Sequence, residues 1–139
     1  MEIFNKSVGF SFALAFFVAL TGCHHDIWKG DYTIENQVDI DELAGFTTIT
    51  GNLDIIDTSL VLLTGLEGLT SVGGNLAIGL NDSLTTLTGL EGMTSVGGYL
   101  FVRDNDTLCE DRAVDLESQL LDSGNELGST IENNNGDCL

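Results

Sequence analysis

Apolar positions recur along this chain at two alternating spacings. Leu60, Leu63, Leu66, Leu69 and Val72 stand three residues apart and return as Leu84, Leu87, Leu90, Met93 and Val96. A spacing of three fits neither the period of about 3.6 of a helix nor the period of about 2 of a strand. Gly65, Gly68, Gly89 and Gly92 argue further against a helix, since each would cost a helix interior about 1 kcal/mol. The expected conformation is an extended, repeatedly bent path that turns every third side chain inward. The spacing then drops to two. Leu53 and Ile55, Leu76 and Ile78, and Leu100 and Val102 alternate with more polar neighbours, and each pair is entered through a glycine, which predicts short strands. Tyr32 and Ile34, after Gly30 and Asp31, fit the same template and predict a diverged first rung.

Both spacings belong to one internal repeat. The decapeptide from Gly65 to Gly74 recurs from Gly89 to Gly98 with a period of 24, and a weaker copy from Leu43 to Leu53 aligns 23 residues upstream once a position near Ser59 is deleted. Periods of this length signal stacked units, none of which could bury its apolar face alone. After the last copy the pattern changes to Ala113, Leu116 and Leu120, flanked by Val114 and Leu121, the stripe of an amphipathic helix. Thr107 and Glu110 have the spacing of a capping box at its start, and Gly124 stands where a helix stops. Thr130 and Ile131 predict a final strand. The tail, residues 107–139, is expected to cover the last rung, whose side chains and strand edges would otherwise face water. The predicted fold is mainly β, a short solenoid of about four rungs with a helical C-terminal cap.

The N-terminus stands apart from this pattern. Lys6 precedes an apolar run from Val8 to Leu20 that is too short for a permanent membrane span and has the form of an export signal. The run ends in Leu20-Thr21-Gly22-Cys23, which resembles the lipobox of bacterial lipoproteins. The resemblance implies cleavage before Cys23, acylation of its thiol and new amino group, and attachment to a membrane by several acyl chains. A plain secretory signal with a chance cysteine is the alternative, disfavoured by the small residues Thr21 and Gly22. The expected organisation is a signal peptide over residues 1–22, a tether over 23–29 and one repeat domain over 30–139. In the lipoprotein family an aspartate after the acylated cysteine marks inner-membrane retention; His24 stands there instead, which favours the outer membrane of the cell envelope.

Charge narrows the partners. Cleavage removes one acid, Glu2, and one base, Lys6, so residues 23–139 retain the formal charge of −18 with Lys29, Arg103 and Arg112 as their only fixed cations. No basic footprint is present for nucleic acid or acidic lipid headgroups. The charge favours solubility or cationic partners.

Gly-Asn-Leu-x-Ile occurs at Gly51–Ile55 and Gly74–Ile78, and Leu76-x-Ile78-x-x-Asn81 follows the strand-and-asparagine arrangement, with Leu84 one residue late. Over roughly residues 30–138 the chain thereby resembles the receptor L-domain and wider leucine-rich-repeat group. The resemblance implies a right-handed solenoid serving in recognition, often of another protein.

Candidate chemistry is sparse. An exported compartment permits Cys109 and Cys138 to form a disulfide, stabilising by roughly 3–4 kcal/mol on a chain-entropy account; a metal site is the alternative, but no third ligand has suitable spacing. His24 and His25 beside Asp26 admit a metal-binding reading, though a flexible linker is the stronger one. They are the only histidines, so no Ser-His-Asp or Cys-His constellation is expected in the folded body. Asp54, Asp57 and Asp82 lie near strand ends, where paired carboxylates would support acid/base chemistry, but in so acidic a chain solvated carboxylates are the expectation. Asn81-Asp82 and Asp104-Asn105-Asp106 repeat at one place in successive turns, which admits stacked calcium ligands but fits turn chemistry better. Tyr99, Phe101 and Arg103 are expected outward while Leu100 and Val102 face the core. Two aromatics beside an arginine have the composition of an interface hot spot; the competing expectation is that the cap covers them. The function expected is noncatalytic recognition by a lipid-anchored module, with no catalytic residue, cofactor or metal. A spacer lipoprotein without a ligand is the alternative, and a carboxylate enzyme a weaker one.

Overall fold

The computed structural model describes residues 26–136. Cys23, His24, His25 and Cys138 lie outside them. In chain order the elements are β1 (Asp26–Trp28), β2 (Tyr32–Ile34), α1 (Gln37–Glu42), β3 (Phe46–Ile49), β4 (Leu53–Ile56), β5 (Ser71–Val72), β6 (Leu76–Gly79), β7 (Ser95–Val96), β8 (Tyr99–Arg103), α2 (Glu110–Asp122) and β9 (Gly128–Glu132). They stack into a short, mainly β solenoid of two parallel sheets, ordered β1-β3-β5-β7 and β2-β4-β6-β8-β9. In the second sheet Tyr32 pairs with Leu53, Leu53 with Leu76, Leu76 with Leu100 and Leu100 with Ser129, so successive turns take 21, 23, 24 and 29 residues. The first three intervals are the solenoid's turns, and the fourth and longest is the excursion that carries α2.

The strands predicted from alternation are those of the second sheet. The first sheet corrects the expectation of one strand per turn. Its strands are two to four residues long, and β5 and β7 each bury a single side chain, Val72 or Val96, so they carry no alternation to detect. β1 likewise takes up Asp26–Trp28, counted above with the tether: its Trp28 is buried and its backbone pairs with β3.

The run of threes has a mechanical cause. The Leu66 N–H donates to the Leu63 carbonyl and that of Leu69 to Leu66, and the next turn repeats this with Leu90 to Leu87 and Met93 to Leu90. Consecutive turns closed by such i+3 to i bonds return every third side chain to the same side. All of these apolar residues are buried, with Leu63, Leu84 and Met93 fully so. They meet the inward columns of the second sheet, Tyr32, Leu53, Leu76 and Leu100 beside Ile34, Ile55, Ile78 and Val102, in one core. Each fully buried aliphatic side chain contributes about 1.5–3 kcal/mol.

At the ends of β4, β6, β8 and β9 the chain turns a corner through a residue in the left-handed region: Asp57, Leu80, Asp104 and Asn133, with φ between 55° and 57°. Aspartate and asparagine tolerate this conformation; leucine does not, because its Cβ crowds the following carbonyl. Leu80 is more than half exposed, so it gains little in return. Leu80→Asn is therefore expected to stabilise the fold by about 1 kcal/mol, seen as a higher urea midpoint at unchanged slope; an unchanged or lower midpoint would show that the corner is not strained.

The residue after each corner points inward and forms a polar ladder. Asn81 Oδ1 accepts from the Thr58 N–H (3.0 Å) and hydroxyl (2.8 Å), and its amide donates to the Ile55 carbonyl (2.9 Å) and to Asn105 Oδ1 (3.1 Å). Asn105 in turn donates to the carbonyls of Ile78 and Arg103 and to Asn134 Oδ1, and Asn134 to the Val102 carbonyl. Asn81 and Asn105 are fully buried. Both Oδ1 atoms are taken by protein donors, so the repeated asparagines of Asn81-Asp82 and Asp104-Asn105-Asp106 act as links between rungs, where side-chain turns were expected.

Two ends close the stack differently. In the first turn α1 replaces the run of threes: Asn36 Oδ1 accepts the Val38 N–H, and the buried Asp39 carboxylate accepts the N–H groups of Glu35 and Asn36, while Ile40 and Leu43 enter the core. The edge-to-face rings Trp28–Tyr32 and Trp28–Phe46, with centroids 4.7 and 5.7 Å apart, fill this rung. The Tyr32 hydroxyl donates to the Asp39 carbonyl and to Glu42; burial, then the neighbouring carboxylates of Glu42 and Asp39, raises its pKa far above the ordinary tyrosine value.

At the other end the predicted cap is present. Ala113, Leu116 and Leu120 of α2 are buried and β9 pairs with β8. Two side-chain amides finish what the strands leave open: Gln119 donates to the carbonyls of Leu90, Glu91 and Met93, and Asn125 donates to Thr94 and accepts from the Val96 N–H. Thr107, however, is not the helix cap. Its hydroxyl donates to the carbonyls of Asp82 and Leu84 in the preceding turn, and α2 starts from Cys109 without a side-chain cap bond. The preceding rung offers Thr107 two carbonyls, so the capping-box spacing is not used. Gly124, at φ 91°, ends the helix as expected.

Candidate functional site

Parallel pairing places equivalent residues of successive turns side by side, so the outer face of the second sheet is read in rows. One row holds Asp54, Ala77 and Phe101; the next holds Ile56, Gly79 and Arg103. Small residues on β6 thus lie between tall ones on β4 and β8. Between these walls, two strand spacings or about 9–10 Å apart, Ala77 is partly exposed, whereas Gly79 is buried with the Arg103 stem against it.

Tyr99, Phe101 and Arg103 point outward, and Leu100 and Val102 are fully buried, as alternation requires. The Tyr99 and Phe101 rings stack, with centroids 5.8 Å apart and planes at 19°. The cap flanks these residues without covering them. β9 sets Gly128 opposite Tyr99 and Thr130 opposite Phe101, and the Tyr99 ring leans over Gly128 where any Cβ would collide with it. Tyr99 nevertheless remains 57 % exposed. On the far wall Ile56 is 41 % exposed. The stem of Arg103 leans toward Gly79, where an added Cβ would come within 3.9 Å of its Cγ, and its Nε lies 3.9 Å from the exposed Asp104 carboxylate, a surface pair worth little.

Asp54, on this face, is only partly exposed, and its side chain forms no ion pair or hydrogen bond among the described residues. Burial raises its pKa above the ordinary carboxyl value, and the charge of Asp31 pushes the same way. A carboxyl whose folded-state pKa is raised holds its proton more tightly when folded, so stability falls as pH rises from the ordinary carboxyl range through the raised value.

The sequence candidates distribute as follows. Tyr99, Phe101, Arg103 and Asp54 share this face. Asp57 occupies an exposed corner, and Asp82 an exposed turn; neither joins Asp54 in a common cleft. Cys109 is disulfide-bonded, and its expected partner Cys138 lies outside the described residues, as do Cys23, His24 and His25. Among the described residues no cluster of His, Cys, Asp or Glu forms a metal-binding group. A cleft of about 160 Å³ beside α2, lined in part by Thr86, Glu91, Arg112 and Asp115, is smaller than small-molecule sites usually are. Ile56 and Gly79 escaped sequence reasoning because only the register between turns gives them their place; the one available signal was the glycine ending Leu76-Ala77-Ile78-Gly79.

No protein-family model, curated protein or solved structure matches the chain.

Proposed function

We propose that this chain is a noncatalytic recognition module of a bacterial cell envelope, anchored to the outer membrane through lipid on Cys23, which binds another protein on the outer face of its second sheet. The observation that carries the reading is the exposed Tyr99 ring stacked on the half-buried Phe101. An aromatic stack partly open to water on a rigid sheet, with an arginine alongside, is the composition of a binding hot spot. The likeness of the repeat to receptor L-domains points the same way, and the lipobox-like Leu20-Thr21-Gly22-Cys23 supports the anchor.

Crosslinking and pull-down from intact envelopes tests this. One saturable protein partner is expected, lost in the Tyr99→Ala, Phe101→Ala double variant while thermal stability changes by less than about 1 kcal/mol. No saturable partner would leave a spacer lipoprotein, and a partner retained by a destabilised double variant would reduce the pair to packing. For the anchor, the chain is expected to partition into detergent, and Cys23→Ala to abolish this.

A further inference from the structure

The two sheets end in four edges, and three of these are blunted or covered. β1 is three residues long with an irregular register between Asp26 and Ile27, and β2 has three residues before Asn36 caps α1. Beyond β7, Asn125 stands in for a strand: its Nδ2 donates to the Thr94 carbonyl and its Oδ1 accepts the Val96 N–H. Shortness, bulges and covering groups are the usual means by which proteins block an edge. β9 shows none of them. It runs five residues in unbroken register with β8, contains no proline or lysine, and has Glu132 as its one charge. The Glu132 carbonyl accepts the Asp104 N–H on the β8 side, so by alternation the N–H and C=O groups of Ser129 and Ile131 point to the open side. Among the described residues nothing pairs with them. The inner side of this last rung is also incompletely covered. Ile131 and Leu127 pack against the core yet stay partly exposed, whereas Val102, which Ile131 pairs with, is fully buried. On the outer side the Tyr99 ring reaches across Gly128 toward the same edge.

We propose that an extended segment of the protein partner adds to β9 as a further strand of the second sheet. Its backbone pairs with Ser129 and Ile131, and apolar side chains on its inner face cover Ile131. A lysine or arginine on its outer face stands beside Glu132, as opposite charges do on neighbouring strands, while the Tyr99 ring flanks the same face. A second copy of this chain is the poorer occupant, because it brings its own formal charge of −18 and a second Glu132 to the edge. The edge supplies backbone affinity and the aromatic stack beside it supplies selectivity. This rests on the recognition reading above for the partner's being a protein, and adds the mode of binding.

The test uses the purified full chain and a short capped peptide in which valine alternates with threonine and lysine, so that all valines share one face. Binding is expected to slow hydrogen exchange at the Ser129 and Ile131 amides. The same peptide N-methylated at three consecutive central residues keeps its side chains but loses donors on both edges, and should not bind. Ser129→Pro removes an N–H from the open edge and leaves the bonds to β8 in place; it is expected to weaken the peptide about tenfold, or 1.4 kcal/mol. Ser129→Ala loses only the exposed bond of the hydroxyl to Glu117 and should change binding by less than about twofold. Should Ser129→Pro fail to fold, the N-methylated peptide decides. Binding that survives N-methylation, or that protects amides elsewhere, would overturn the inference. So would sedimentation as a dimer that Ser129→Pro dissociates, since the edge would then hold a second copy. If a folded Ser129→Pro variant still captures the envelope partner through Tyr99 and Phe101, strand addition is wrong and recognition stands. If no envelope partner is captured at all, recognition fails and the proposed segment with it, whatever the peptide does.

Discussion

Asn81→Ala is expected to destabilise the protein by about 3–5 kcal/mol, because one buried side chain serves three successive turns. Its Oδ1 satisfies two donors of Thr58, and its amide satisfies the Ile55 carbonyl and Asn105 Oδ1. Alanine leaves the two Thr58 donors and the Ile55 carbonyl without these partners in a site closed to water, while Asn105 Oδ1 keeps the backbone N–H of residue 81, and each uncompensated group costs about 1–3 kcal/mol. Such a loss is a large part of the roughly 5–15 kcal/mol that holds a domain together. Asn81→Asp should do little better at neutral pH, since it puts an acceptor where the Ile55 and Asn105 oxygens need a donor. Urea unfolding followed by circular dichroism measures both; a cost below about 1 kcal/mol for the alanine variant would mean that the ladder is not structural.

Gly97→Ala should have an effect of similar size from a different cause. A Cβ there would fall inside the carbonyl oxygen of Gly73 in the preceding turn, and a Cβ at Gly73 would likewise strike the Thr50 carbonyl. The obstruction is backbone against backbone, and the Gly97 N–H is itself held by the Val72 carbonyl at 2.9 Å. Relief requires the turns to move apart along a whole column. A loss of about 2–4 kcal/mol is expected, lowering Tm by about 10–20 °C. Gly124→Ala is the control: its Cβ meets open space, and only the φ of 91° is unfavourable, at a cost of about 1–2 kcal/mol. Equal losses at the two positions would show that rung spacing is not what Gly97 protects.

These two residues also mark how far the sequence could be read. The repeat around Gly97-Gly98 is visible as a recurrence, but the expectation that glycine enters each strand for its conformational freedom is corrected, since Gly51, Gly74 and Gly98 have no left-handed φ. The reason for Gly97 was not visible. Gly97 has an ordinary φ and is required by the closeness of the turn below, which no local pattern expresses. Asn81 was legible as turn chemistry, but the turn was the smaller part of its role: the corner residue is Leu80, and Asn81 is the rung of a buried ladder. The helix α1 was missed because six residues bring only Ile40 and Leu43 inward, too few to establish a period.

For the binding face, alternation alone placed Tyr99, Phe101 and Arg103 outward, because a strand that buries Leu100 and Val102 has no other choice. What lies beside them depends on which residues of other turns become neighbours. That is decided by turn lengths of 23 and 24 residues, which bring Asp54, Ala77 and Phe101 into one row.

What the sequence by itself determined is the stacking: a recurring set of inward leucines with glycine-marked bends makes each turn incomplete without the next, so the chain must coil into a ladder and must cap it. What only the tertiary structure decided is the first sheet, the polar columns and the shape of the outer face. Each of these is a relation between residues more than 20 positions apart, set by backbone register, and periodicity along the chain carries no information about register.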